Sequence, residues 1–217
     1  MKKLIDLNAD VGENPSAIIY GSERKLISLI SSANIACGGH AGDEVSMTNA
    51  LELCAEFSVN IGAHPSYTDR VNFGRKELNF SLEEISKMVF DQVLLLVKLA
   101  DKMKLKLKHI KPHGAMYNSA AKNELIAKAI SHGIKKINKD FVLYGLANSL
   151  MLDVWRNEGF EVVGEAFADR RYEIDGTLRK RKFSDALITN PKKAAEQVLS
   201  IVKHGKVLSV TGEEVKI

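Results

Sequence analysis

Ile61-Gly62-Ala63-His64-Pro65-Ser66-Tyr67 is the stretch on which the fold turns. A short apolar run ends on a histidine. The proline that follows disfavours helix at the preceding residue and has no N–H for a strand ladder, so the strand stops there with an imidazole at its carboxyl end. The same pattern recurs on both sides. Asn34-Ile35-Ala36-Cys37 runs into Gly38-Gly39-His40, and His109-Ile110-Lys111 runs into Pro112-His113. Longer amphipathic segments separate these runs, which is the alternation of β/α units around a parallel sheet. Strands are predicted at 4–7, 34–37, 60–63, 109–111, 141–145 and 162–167, with a weaker one at 207–210. The fold class is α/β, a β/α barrel of about seven parallel strands. A length of 217 residues suits one such domain, 1–217.

The intervening helices carry their own signals. Ser81-Leu82-Glu83-Glu84 reads as a capping box, and Ile85, Met88, Val89, Val93, Leu96 and Val97 recur at three- and four-residue spacing behind it, a stripe for the core rather than a cofactor box. Asp43 is placed to cap a helix through Ala50, Leu51 and Cys54, and Pro191 to open the last long helix.

Composition excludes several classes. Thirty-one basic and 27 acidic residues leave a net charge of +4, too small an excess to name nucleic acid as a partner. The opening Met1-Lys2-Lys3-Leu4-Ile5-Asp6 meets an acid too early for a signal peptide, and Val93-Leu94-Leu95-Leu96-Val97 is far short of the ~20 residues of a membrane span. Cys37 and Cys54 are too few for a disulfide framework. The expectation is a cytoplasmic protein with reduced cysteines and no membrane partner. Lys98, Lys102, Lys104, Lys106 and Lys108 read as a solvated helix end. Arg179-Lys180-Arg181-Lys182 reads as a solvated loop, with contact to phosphate or an acidic partner as the alternative.

Polar residues collect at the expected strand ends: Asp6, Asn8 and Asp10 on the first, His40, His64, then Lys111 and His113, then Glu165 and Asp169. In a parallel barrel these ends converge on the face where chemistry is done. Each has a plainer reading, a solvated edge strand for the first group and a structural role for His113. Glycines at 38, 39 and 42 permit close approach of backbone to a ligand, without the spacing of a phosphate-binding loop. An acid with two histidines, drawn from Asp6, Asp10, His40 and His64, is a donor set that suits a divalent metal. Lys111 can hold a carboxylate or a developing oxyanion.

Together the segments 6–13, 32–43, 61–67, 72–75, 111–118 and 165–172 resemble the family of 5-oxoprolinase A subunits, also called LamB/YcsF. The resemblance implies a β/α barrel similar to the glycoside hydrolase and deacetylase superfamily. It also implies ATP-dependent hydrolysis of 5-oxoproline to glutamate with two other subunits, ATP being used with magnesium. Asp10, His40, His64, Lys111 and His113 are then the catalytic candidates. Asn8, Glu13, Glu165, Asp169 and Arg170 are the substrate-binding ones. The sequence lacks a Walker motif, which fits nucleotide handling by partner subunits. Two departures stand out. Gly39 replaces the usual Phe, which is expected to enlarge the pocket. The family's Cys-x-His-Gly-Asp strand does not occur, which is expected to leave the barrel edge unpaired and remove a polar cluster from the mouth unless a partner chain supplies both. Rival readings are a metal-dependent carbohydrate deacetylase and a non-catalytic binding subunit.

Overall fold

The computed structural model describes residues 5–14, 16–17 and 21–217. The chain forms two compact units, residues 1–145 with 149–163 and residues 146–148 with 164–217. Among the described residues, no helix is long and apolar enough to cross a membrane.

Six strands form one sheet in sequence order: β1 (Asn8–Val11), β2 (Ser32–Ala36), β3 (Asn60–His64), β4 (Leu107–Ile110), β5 (Val142–Leu146) and β6 (Val162–Glu165). The pairs from β1 to β5 are all parallel. Each strand lies beside its predecessor, the winding of the expected β/α barrel. The helices α1 (Ser22–Ile27), α2 (Glu44–Phe57), α3 (Leu82–Lys102), α4 (Gly114–Ala120), α5 (Glu124–Lys135) and α6 (Leu150–Asn157) come between them. All of β2 is buried, because a parallel strand covered on both faces does not alternate apolar with polar residues.

Both predicted caps form. Asp43 and Ser46 make a reciprocal capping box on α2, and Ser81 and Glu84 make one on α3. On α3, Ile85, Val89, Val93 and Leu96 are buried as the stripe requires, and so is Gln92, which no apolar pattern selects. The lysines at 98, 102, 104, 106 and 108 are exposed around its carboxyl end.

Two strand expectations shift. The first strand starts at Asn8 rather than in 4–7. Leu4 lies outside the described residues, and Ile5 and Leu7 are exposed. The weak seventh strand does not join the sheet. Its segment forms β7 (Lys206–Leu208), antiparallel to β8 (Glu214–Lys216). Only Val207 and Val215 are buried in this pair, and Gly212 at φ +89° returns the chain between them.

In the second unit, α7 (Pro191–His204) starts at Pro191 under an Asn190 cap. Gln197 on α7 donates to the carbonyls of Phe167 and Arg170, and the Tyr172 hydroxyl accepts from the Phe167 N–H at 2.7 Å. Arg179 is bound to Asp185 at 2.7 Å and Glu173 at 3.1 Å, so the basic tetrad is not a set of free cations. Lys180, Arg181 and Lys182 are exposed.

Candidate functional site

Strand register builds the floor of the site. Asp10 pairs with Asn34, Asn34 with Gly62, and Gly62 with His109, so one row of residues crosses four strands. Gly62 is required there. A Cβ would stand 2.1 Å from His109 Nε2, and its absence lets the imidazole cross β3 to donate to Asn34 Oδ1 at 2.8 Å. The Asn34 amide donates in turn to Asn8 Oδ1 at 2.7 Å and Asp10 Oδ1 at 2.9 Å. Lys111, just past β4 and buried, donates to the same two oxygens at 3.1 and 3.3 Å. Each of these contacts places a donor on an acceptor, as buried polar groups need.

Above this row the strand ends bring three histidines together. His64 closes β3, His40 follows the glycine turn after β2, and His113 caps α4, its N–H held by the Pro65 carbonyl at 2.8 Å. His40 Nδ1 meets Ser66 Oγ at 2.9 Å and its Nε2 meets Glu13 Oε1 at 2.8 Å. His64 Nδ1 lies 2.6 Å from the Lys111 carbonyl and its Nε2 lies 3.3 Å from Asp10 Oδ2. His113 Nε2 faces the Phe73 carbonyl at 3.1 Å, while its Nδ1 is 2.9 Å from His64 Nε2. The His40 and His113 rings stack at 3.7 Å and 4°. One donor atom from each of Glu13, His40, His64 and His113 lies within 4.8 Å of the others.

Electrostatics follow from this packing. Burial alone would raise the Asp10 carboxyl, but the adjacent His64 and Lys111 and the hydrogen bond from Asn34 hold it well below 3.8. Burial pushes His113 down to about 2, with His64 and His40 adding to the effect, and His109 down to about 4. Burial also lowers His40, against its hydrogen bond with Glu13. Asp10 is therefore a carboxylate, and His113 and His109 are neutral near pH 7.

Asn8, Asp10, Glu13, His40, His64, Lys111 and His113 thus share one neighbourhood in the first unit. Asp6 does not join the histidines. Its carboxylate accepts from Ser31 and Ser32 at 2.6 Å and from Tyr144 at 3.0 Å, because the strand carries it one step below the row. Glu165, Asp169 and Arg170 belong to the second unit, where Arg170 is buried with a bond to the Arg179 carbonyl at 2.7 Å and Asp169 is exposed. Gly39 does not enlarge a pocket. A Cβ there would stand 2.4 Å from Gln92 Oε1 and 2.5 Å from Ser66 Oγ, so those side chains already fill the space. Sequence reading assigned no site role to Asn34, Ser66, Gln92 or His109. Gln92 holds both backbone groups of Ser66, accepting from its N–H at 3.0 Å and donating to its carbonyl at 2.8 Å. The one signal for Gln92 was a polar residue on the buried face of α3.

The LamB/YcsF family model matches residues 5–217. The A subunit of 5-oxoprolinase from Chloroflexus aggregans is 44% identical over 98% of this chain and 84% of its own length. That of Shouchella clausii is 43% identical over 98% and 84%. The crystal structure of the lactam utilization protein from Thermus thermophilus superposes with a TM-score of 0.91 at 38% identity, covering 99% of this chain and 87% of that one. A structure from Enterococcus faecalis V583 shares the fold alone, with a TM-score of 0.51 at 14% identity over 90% of this chain and 74% of that one.

Proposed function

The chain belongs to the LamB/YcsF family, and on that footing we propose that it is the A subunit of an ATP-dependent 5-oxoprolinase, opening the lactam of 5-oxo-L-proline to L-glutamate with two partner subunits. The identity of more than 40% to proteins bearing that name, over nearly the whole chain, carries the reading. The half-buried Asp10 carboxylate and the buried lysine and histidines at the strand ends give it a place for hydrolytic chemistry. Buried, unpaired Cys37 and Cys54 suit the reducing cytoplasm.

A lactam is an unactivated amide, and phosphorylation of its oxygen at the expense of ATP, by the partners, makes the ring carbon electrophilic. Water then adds to that carbon, the carbon–nitrogen bond breaks as the nitrogen gains a proton, and the resulting acyl phosphate is hydrolysed to the carboxylate. Lys111, held by Asn8 and Asp10, is the cation for the developing oxyanion. The histidine cluster and Asp10 serve water activation and proton delivery, worth about 100- to 10,000-fold. Asn8 and Glu13 border the substrate.

The test is glutamate release from 5-oxoproline and ATP by the two partner subunits, with and without this chain. Release that requires this chain supports the reading. Equal release without it, or none with folded protein and active partners, rejects it.

A further inference from the structure

The histidine cluster does not close on itself. A carbonyl oxygen only accepts, so His64 Nδ1 must carry the hydrogen given to Lys111 O at 2.6 Å, and His113 Nε2 the one given to Phe73 O at 3.1 Å. In neutral rings this leaves His64 Nε2 and His113 Nδ1 as lone pairs, and they point at each other across 2.9 Å. Both rings are buried, at 1% and 7% exposure, so water does not separate them. Two facing acceptors repel unless a proton or a cation lies between them.

Glu13 Oε1 supplies a third donor, 3.6 Å from His113 Nδ1. His40 is different. Its ring is parallel to that of His113 at 3.7 Å, and one ion cannot lie in both ring planes. His40 Nε2 instead contacts Glu13 Oε1 at 2.8 Å, where it orients the carboxylate as an outer partner does.

We propose that His64 Nε2, His113 Nδ1 and Glu13 Oε1 bind one divalent transition ion of the zinc class, with His40 as the positioning residue for Glu13 and a coordination position left open. Two imidazoles and a carboxylate are a donor set for such ions, and ligands about 2.0–2.1 Å from a tetrahedral ion sit roughly 3.3 Å apart, close to the separations found. The carbonyls of Lys111 and Phe73 fix both tautomers in the ligating form, as outer partners of metal-binding histidines do. Asp10 Oδ2, 3.3 Å from His64 Nε2, stands beside the ion. Three ligands with an open position is the arrangement that holds a water. The inference concerns the site assigned above to 5-oxoproline hydrolysis but rests on tautomers and distances, so it can fail while that reaction stands.

The test uses the untagged, chelator-stripped chain titrated with Zn²⁺ and with Co²⁺, followed by calorimetry, the cobalt visible spectrum and ¹⁵N shifts of the histidine rings. The expected result is one ion per chain. Of the six histidines, ring-nitrogen coordination shifts should fall on His64 Nε2 and His113 Nδ1 and not on His40. His113→Gln should weaken binding by more than the about 10- to 100-fold typical of an outer partner, and His40→Gln by no more than that. The ring shifts are read on the wild-type protein, so an unfolded variant does not decide the matter. No uptake by folded wild-type chain up to millimolar ion overturns the proposal and leaves a proton shared by His64 and His113. Uptake with shifts on other nitrogens overturns it as well.

Discussion

The two polar layers of the first unit each combine histidine with a carboxylate and solve opposite problems. In the lower layer, Asn34, His109 and Lys111 donate to Asn34, Asn8 and Asp10, and each hydrogen bond joins unlike groups. In the upper layer the carbonyls of Lys111 and Phe73 use the hydrogens of His64 and His113, and the remaining nitrogens face each other. The first arrangement pairs every donor with an acceptor, leaves the His109 Nδ1 lone pair without a partner among the described residues, and positions its members. The second leaves two ring nitrogens facing each other, the opening that the proposed ion fills. Asp10 belongs to both, with Oδ1 on Asn34 and Lys111 and Oδ2 toward His64.

The comparison can be tested by damaging each layer. The largest effect is expected from Lys111→Met, which removes the cation shared by Asn8 and Asp10. Glutamate formation should fall about 100- to 1,000-fold in an assay with partners present. Next is the acid response of the lower layer. Folding lowers His109 from 6.5 to about 4, so the unfolded chain binds more protons between those values. Stability from this residue is therefore complete above pH 6.5 and lost as pH falls toward 4, by roughly 3 kcal/mol. Urea melts from pH 4 to 7 should show a shallower slope in His109→Gln. Gln92→Leu leaves the Ser66 N–H and carbonyl without their partner, and a chemical denaturation curve should register a loss of about 1–3 kcal/mol. The smallest change is expected far from both layers. Lys87→Ala breaks an exposed pair with Asp91 at 2.5 Å and should move stability by less than about 0.5 kcal/mol.

Much of this arrangement is readable from sequence. Histidines and a lysine placed one to three residues past apolar runs identified the strand ends, and Pro65 and Pro112 marked where the ladders stop. Register was not readable. That Asp10, Asn34, Gly62 and His109 form one row depends on pairing between distant segments, so Asn34, Gly62 and His109 looked like ordinary strand residues. Period-two spacing put Asp6 with Asn8 and Asp10, but spacing says nothing of what lies opposite, and Ser31, Ser32 and Tyr144 take its carboxylate. The Gly39 expectation failed for a similar reason. A missing side chain leaves a hole only if no neighbour fills it, and Gln92 and Ser66 do. At the other end, 207–210 had strand composition, but a hairpin partner a few residues away competes with a distant sheet edge and costs less loop entropy.

Asp10→Asn tests the central claim most directly, because it keeps the size and the Asn34 contact while removing the charge that joins the two layers. The variant is to be assayed with the partner subunits for glutamate formation, alongside a check that it folds. The account requires a loss of at least about 100-fold with the fold intact. A folded Asp10→Asn chain within about threefold of wild-type activity would contradict it and move the chemistry away from these strand ends.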